Sequence, residues 1–215
     1  MTRGADIAFR EPQSARTYPS TNKVVQAVGL RTLVDTGFSE QVELALWRRP
    51  VPPGLDRVFL EQDFSGFMEF RVDGTGAEVL SQMQSFLAAQ DWDQRICDVV
   101  YSDALAIVEA SSASGPAYTV RLEYVTDDAC RKFHKDQTDI RLITTYMGRG
   151  SQWILVDETA SEPKIQEMLP FEVGMFLGER SEALEGVFHR SPPIEHTSMC
   201  KRFMMVVDVE RPGFC

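Results

Sequence analysis

The stretch Phe133-His134-Lys135-Asp136 and the later stretch Phe188-His189-Arg190-Ser191-Pro192-Pro193 predict a metal site built on β-strands. On an extended strand residues i and i+2 project from the same face, so His134 and Asp136 can reach one ion while the residue between them points away. His189 ends an apolar, strand-like run and can supply a third ligand. Two histidines and one carboxylate leave positions on the ion open for substrate and oxygen.

An H-x-D triplet by itself is a weak signal, because it also occurs in surface turns and in hydrogen-bonded pairs. Here the rest of the sequence strengthens the signal, because the chain has three histidines and all of them lie between residues 134 and 196. The segment that follows His189 also contains His196 and Cys200, which are capable ligands. The sequence therefore predicts a metal centre but leaves the full ligand set open.

The composition is that of an ordinary globular protein, with 43% hydrophobic and 25% charged residues among 215. A net charge of -10 argues against nucleic acid or an anionic membrane as the partner, because both favour clustered Lys and Arg. The expected partner is a small-molecule or protein substrate.

Residues 1–20 lack the apolar core of a secretory signal, and no run approaches the roughly 18 apolar residues of a membrane span. The four cysteines have no regular spacing, which is typical of free thiols in a reducing compartment, so we expect a cytoplasmic location.

The hydrophobic pattern changes along the chain from helical to strand-like. Residues 42–46 alternate and predict a strand, with a helix as the alternative, and 67–72 predict another strand. Apolar residues at helical spacing predict helices over 77–89 and 97–110. After a Ser-, Gly- and Pro-rich linker, short strands are predicted over 118–125, 140–146, 153–156, 171–177, 186–189 and 202–209. Such a series is typical of a sandwich or jelly roll.

These motifs resemble those of a bacterial family defined by a domain of unknown function. The resemblance is carried by Cys130-x-x-Phe133-His134-x-Asp136, Arg141-Leu142-x-x-Thr145-Tyr146-x-Gly148-x-Gly150-Ser151-x-Trp153 and His189-Arg190-Ser191-Pro192, and it covers about residues 117–210. At the motif level this family is similar to the iron(II)- and 2-oxoglutarate-dependent dioxygenases. Their double-stranded β-helix carries H-x-D on an early strand and a distal His on a late one.

The resemblance implies an α+β protein with a double-stranded β-helix core, a cupin-like jelly roll, and N-terminal helices packed on one sheet. We expect a mobile N-terminal segment over 1–23, a supporting α+β region over 24–115, and the metal-binding β-helix over 116–215.

The resemblance also implies roles for individual residues. His134, Asp136 and His189 would bind Fe(II). Arg202 would pair with the distal carboxylate of 2-oxoglutarate, for which a planar guanidinium is well suited. A hydroxyl on the same carboxylate would come from Tyr146 or Thr144.

Further candidates are Arg141, Arg190 and Ser191. Arg190 and Ser191 can also simply orient the loop after His189 by hydrogen bonding. The implied function is a mononuclear metal-dependent oxygenase of the iron(II)/2-oxoglutarate type.

Cys130 separates this hypothesis from a second one. On a fully extended strand its sulfur would lie about 13 Å from His134 and could not share an ion, so we expect Cys130 to be a small buried hydrophobe. If the chain bends before Cys130, sulfur could join the site and favour zinc over an oxygen-activating iron. The protein would then be a non-catalytic zinc-binding or metal-homeostasis protein on the same scaffold. A jelly roll used only for protein interaction is a third alternative.

Overall fold

In the part of the chain that the structure describes, the strands form two sheets that share one hydrophobic layer. The computed structural model describes residues 21–37, 42–112, 117–127, 130–156, 162–181, 186–193 and 201–210. The strands are β1 (Val24–Ala27), β2 (Leu44–Trp47), β3 (Glu69–Gly74), β4 (Ala117–Val125), β5 (Ile140–Met147), β6 (Gln152–Leu155), β7 (Gln166–Glu167), β8 (Val173–Leu177), β9 (Val187–Arg190) and β10 (Arg202–Glu210). The helices are α1 (Leu30–Gly37), α2 (Leu55–Glu61), α3 (Gly76–Ala88) and α4 (Gln94–Ser111), with a 3-10 turn over Glu179–Ser181.

The larger sheet has seven strands in the order β1-β2-β8-β5-β10-β4-β3. Its neighbours pair antiparallel except β1 and β2, which are parallel. The smaller sheet has the order β7-β6-β9 and is antiparallel. The large sheet takes strands from both of the predicted regions 24–115 and 116–215.

The central strand β10 shows how the sequence assigns its two faces. Phe203, Met205, Val207 and Val209 belong to the hydrophobic cluster that includes the helices. The alternate residues Met204 and Val206 belong to a second cluster, which joins the large sheet to Trp153 and Val187 of the small one. Because side chains alternate along a strand, Arg202 and Asp208 share the second face and lie between the sheets.

The helices cover the other face of the large sheet. In α3 the residues Val79, Met83 and Leu87 recur every four positions and are buried. Thr75 caps this helix through a reciprocal hydrogen-bonded pair with Glu78, which fixes where it begins. All four helices contribute buried residues to the cluster that includes β4, β5 and β10. The architecture is a mixed α/β fold built mainly on sheet, with helices on one side.

The predicted elements that fall on described residues are present, including the strand at residues 42–46 rather than its helical alternative. The sequence did not predict β1, β7, α1 or α2. The strand predicted over 171–177 begins at Val173, because Phe171 adopts a positive φ of 67° that an extended strand cannot contain. Residues 1–20, His196 and Cys200 lie outside the described residues. Among the helices described, none combines the length and the hydrophobicity needed to cross a bilayer.

Candidate metal centre

His134 and His189 are joined by a short antiparallel bridge between their backbones. The His134 amide donates to the His189 carbonyl at 2.9 Å, and the His189 amide donates to the His134 carbonyl at 3.0 Å. Since β9 also pairs with β6, the bridge adds the His134 segment to the edge of the small sheet. Directly opposed residues project to the same side of a sheet, so the two imidazoles meet, with ring centroids 4.8 Å apart.

Asp136 completes a cluster of three potential ligands. One ligand atom from each of His134, Asp136 and His189 lies within 4.8 Å of the other two. Nε2 of His189 is 2.9 Å from Oδ2 of Asp136, and Nε2 of His134 is 3.6 Å from Oδ1. Asp136 and His189 are buried, whereas the His134 side chain is 36% exposed. The cluster can therefore be reached from solvent on the His134 side.

The hydrogen bonds of Asp136 leave one of its oxygens available. Oδ1 accepts a hydrogen bond from Arg141. Oδ2 is buried, and it accepts no hydrogen bond although Nε2 of His189 lies 2.9 Å away. A buried polar atom without a partner is costly, and a cation beside Oδ2 would remove that cost. Two imidazole nitrogens and one carboxylate oxygen form a donor set that suits a non-haem iron(II) ion.

The charge of Asp136 and the tautomer of His134 suit a cation. Nδ1 of His134 is 2.8 Å from the Lys132 carbonyl, so it carries the donated proton and Nε2 remains the ligand atom. Burial raises the pKa of Asp136, but interactions with His134, His189 and Arg141 outweigh it and hold the pKa well below its usual range. The contact with Asp136 raises the pKa of His134. Asp136 is therefore a carboxylate anion at neutral pH.

Arg141 connects Asp136 to the central strand. Its Nε and Nη2 donate to the two carboxylate oxygens of Asp208 at 2.5 and 2.8 Å, while Nη1 donates to Asp136. A guanidinium held on both sides in this way has a fixed plane. Arg141 thus orients Asp136 so that Oδ2 is the oxygen directed toward His189.

Arg202 is a buried cation without a carboxylate partner among the residues that the structure describes. It is 2% exposed, and its Nε donates to the Arg149 carbonyl at 2.7 Å. Its Nη groups donate to the hydroxyls of Ser191, Thr145 and Ser151 at 3.0, 3.2 and 3.3 Å. Burial lowers the pKa of Arg202 to about 10. A guanidinium surrounded by neutral hydroxyls is ready to pair with an anion.

Gly148 makes room for this side chain. Its φ is +86°, and a β-carbon there would lie 2.3 Å from the Lys201 carbonyl oxygen and 3.1 Å from Cγ of Arg202. Only glycine combines that backbone conformation with so close an approach. The turn after β5 can therefore pass directly over the beginning of β10.

Tyr146 and Thr144, which the resemblance suggests as hydroxyls for the distal carboxylate of 2-oxoglutarate, do not contact Arg202. Tyr146 donates to Asp103 on α4 at 2.7 Å and packs among the aromatic residues of the helix face. The Thr144 hydroxyl is buried without a hydrogen-bond partner. The hydroxyl that accepts from Arg202 is that of Thr145, on the opposite face of β5.

Arg190 and Cys130 hold the segment before His134 against β9. The Arg190 guanidinium lies over the Phe133 ring at 4.3 Å, and its Nε donates to Gln152 at 2.8 Å. Cys130 has a positive φ of 56°, and its carbonyl accepts from the Ser191 amide at 3.0 Å. The expectation that Cys130 is buried was wrong: the chain turns at this residue, and the thiol is exposed. Within the described part of the chain, Cys130 is not a member of the ligand cluster.

Sequence reasoning missed four residues of this region: Thr145, Ser151, Asp208 and Glu43. The alternation of β5 places Thr145 on the same face as Arg141 and places Thr144 and Tyr146 on the other, but alternation alone does not say which face meets Arg202. Ser151 stands in the family motif without an assigned role, and nothing local to the sequence marks Asp208 or Glu43, because their partners are distant in the chain.

Comparison with solved structures shows what the fold is similar to. The structure of JOX2 in complex with 2OG, Fe and JA aligns with a TM-score of 0.51 at 9% identity, covering 87% of this chain and 74% of that one. A dioxygenase for auxin oxidation from rice aligns at 0.49 and 13% identity (88% and 86% covered), and its Arabidopsis thaliana counterpart in complex with 2-oxoglutarate at 0.48 and 12% (88% and 92%). The fold is thus similar to that of the JOX2 structure, and at this identity the similarity shows the fold alone.

The sequence itself defines a family. Residues 31–208 match the family described as proteins of unknown function, DUF1826, and the chain belongs to it. No curated protein sequence matches the chain.

Proposed function

We propose that the protein is a mononuclear oxygenase of the iron(II)/2-oxoglutarate type, built on a double-stranded β-helix. One observation carries the proposal. The buried Arg202 guanidinium, which has no carboxylate partner among the described residues, is hydrogen-bonded to the chain just after the potential ligand His189. Ser191, which accepts from Arg202, follows His189 by two residues. Two residues of a strand span about 7 Å, a distance that a short dicarboxylate can bridge.

His134, Asp136 and His189 would hold iron(II) through two nitrogens and Oδ2 of Asp136. When bound, iron with 2-oxoglutarate supplies the activation of oxygen that oxidises a small molecule or a protein side chain. Arg202 would bind the distal carboxylate of the keto acid, with Thr145, Ser151 and Ser191 fixing the plane of the guanidinium. Arg141 would orient Asp136 through its hydrogen bond to Oδ1, the oxygen that does not bind the ion.

The donor set favours iron over zinc. A thiolate would have favoured zinc, but Cys130 is exposed and outside the cluster in the part of the chain that the structure describes. A ferrous centre also fits the cytoplasmic location that we propose from the cysteines, since Cys97 and Cys130 are both free thiols.

The test is anaerobic titration of the iron(II)-loaded protein with 2-oxoglutarate. We expect a weak visible charge-transfer band on binding and, in air, oxygen-dependent conversion of the keto acid to succinate. Arg202→Met should weaken 2-oxoglutarate binding about 10- to 100-fold, because a charge-assisted pair is lost, while iron content is unchanged. Arg202→Lys should recover part of that loss.

Iron-loaded protein that shows no response to 2-oxoglutarate would contradict the oxygenase proposal. Purification with stoichiometric zinc, and no gain of activity on exchange for iron, would favour the metal-homeostasis alternative.

A further inference from the structure

Glu43 is a buried carboxylate that lies outside the ligand cluster and is not used in the proposed chemistry. It is 2% exposed, and it directly precedes β2. Its backbone is fixed on both sides, since its amide donates to the Lys23 carbonyl and its carbonyl accepts from the Leu177 amide, both at 2.9 Å. The side chain therefore starts from a rigid position in the large sheet.

One oxygen of Glu43 contacts both segments that carry the metal ligands. Oε2 accepts from Nζ of Lys135 at 2.8 Å, and from the amides of Gly186 and Val187 at 2.9 and 3.0 Å. Lys135 is the residue between His134 and Asp136, while Gly186 and Val187 lead directly into His189. The other oxygen, Oε1, is 3.4 Å from Nζ of Lys23.

The Lys135 side chain is buried, as is that of Glu43. Its side chain is 7% exposed, and its ammonium lies 5.7 Å from the centre of the Phe188 ring. Gly186 allows the close approach of Glu43, because a β-carbon there would lie 2.6 Å from Oε1. Burial raises the pKa of Glu43, but the hydrogen bonds from Lys135, Val187 and Gly186 outweigh it and lower the pKa below its ordinary value. The contact is therefore an ion pair with two backbone hydrogen bonds added.

We propose that Glu43 is a positioning residue of the metal centre, which sets the separation of the H-x-D segment and the β9 strand through its contacts with Lys135, Gly186 and Val187. This inference rests on the proposed function. On the side before His134, the two segments are joined by the His134–His189 bridge and by the hydrogen bond from the Ser191 amide to the Cys130 carbonyl. Glu43 adds contacts on the other side of the bridge, from a third segment of the chain. Residues that orient ligands in this way commonly change metal affinity by about 10- to 100-fold when they are lost.

Glu172 provides a matched control. It is 1% exposed, and it accepts from Nε of Arg48 at 2.7 Å and from the Leu169 amide at 2.8 Å. Like Glu43 it is a buried glutamate that binds a cation and backbone, but Arg48 and Leu169 belong to neither ligand segment. Glu172→Gln should therefore reproduce the stability cost of Glu43→Gln without disturbing the centre.

The experiment measures the affinity for Co(II) alone, by competition with a chromophoric chelator, together with the visible d–d spectrum of the bound ion. Glu43→Gln and Lys135→Met should each raise the Kd about 10- to 100-fold and change the d–d bands, whereas Glu172→Gln should change neither. Equal losses in Glu43→Gln and Glu172→Gln, or wild-type affinity in Glu43→Gln, would overturn the inference. If Glu43→Gln does not fold, Lys135→Met decides the question by the same criteria.

The two proposals fail in different ways. Wild-type protein that binds no divalent metal would refute the metal centre itself. Wild-type protein that binds Co(II) through His134, Asp136 and His189, with no change in Glu43→Gln or Lys135→Met, would refute only the role of Glu43.

Discussion

Nη1 of Arg202 donates to the hydroxyl of Ser191 at 3.0 Å, and this contact joins the beginning of β10 to the chain that leaves β9. Ser191 also donates its amide to the Cys130 carbonyl at 3.0 Å. Ser191, two residues after His189, thus binds both the buried guanidinium and the segment that leads to His134. Hydrogen bonds therefore connect the buried guanidinium to both segments that carry the potential ligands.

The first prediction concerns the ligand cluster. His134→Ala, Asp136→Ala and His189→Ala should each abolish binding of one divalent metal per chain, because each removes one of three protein donors. The measurement is metal content after anaerobic reconstitution and desalting. Asp103→Asn, a change in a buried carboxylate bonded to Tyr146 on the helix face, is the control and should retain the metal. Full metal content in the triple variant would show that the ion binds elsewhere.

The second prediction uses two adjacent threonines of β5. Thr145→Val should weaken 2-oxoglutarate binding about 3- to 10-fold, because Arg202 loses one of its neutral hydrogen bonds. Thr144→Val should leave that binding unchanged, and it should raise the free energy of unfolding by up to about 1 kcal/mol by removing a buried hydroxyl that has no partner. Calorimetric titration and urea unfolding provide the two measurements. Equal effects of both variants on 2-oxoglutarate would argue against the assignment of Thr145.

The third prediction concerns the two described cysteines. Burial raises the pKa of Cys97, so its thiolate forms only at higher pH than that of an ordinary thiol, and labelling of this residue should be slow at neutral pH and accelerate as pH rises. Exposed Cys130 should be labelled rapidly by iodoacetamide in the native protein. Peptide mapping by mass spectrometry distinguishes the sites.

Because Cys130 is exposed, Cys130→Ser should change the free energy of unfolding by less than about 0.5 kcal/mol and leave metal affinity unchanged. Intense thiolate-to-cobalt absorption that disappears in Cys130→Ser would instead place sulfur on the ion.

The sequence predicted the parts of the site that depend on local spacing. The i and i+2 positions of His134 and Asp136 require only an extended chain, and the structure confirms that these residues form a cluster with His189. The series of short strands predicted a core built mainly on sheet, and the structure is a mixed α/β fold of that kind. Both inferences use periodicities of two residues, which any strand expresses without help from its neighbours.

The parts that failed depend on partners distant in the chain. Thr144 and Tyr146 were preferred to Thr145 because sequence does not say which face of β5 meets Arg202. Cys130 was expected to be buried because nothing in the residues around it requires the positive φ at which the chain turns. Glu43 could not be recognised at all, since its contacts to Lys135 and Val187 span 92 and 144 residues.

The last prediction tests how Asp136 is oriented. In Asp208→Asn the Arg141 guanidinium loses the carboxylate that holds it bidentately and neutralises it, so its charge is drawn toward Asp136 and competes with a bound cation. Co(II) affinity should fall about tenfold, as expected for a residue that acts through a ligand. The loss should be smaller at high salt, because added ions screen the excess charge of the partly exposed Arg141. Asp73→Asn changes another carboxylate of the large sheet, one that contacts Arg71 and Thr119, and it serves as the control. An affinity in Asp208→Asn equal to that of the wild type would mean that Arg141 holds Asp136 without help from β10.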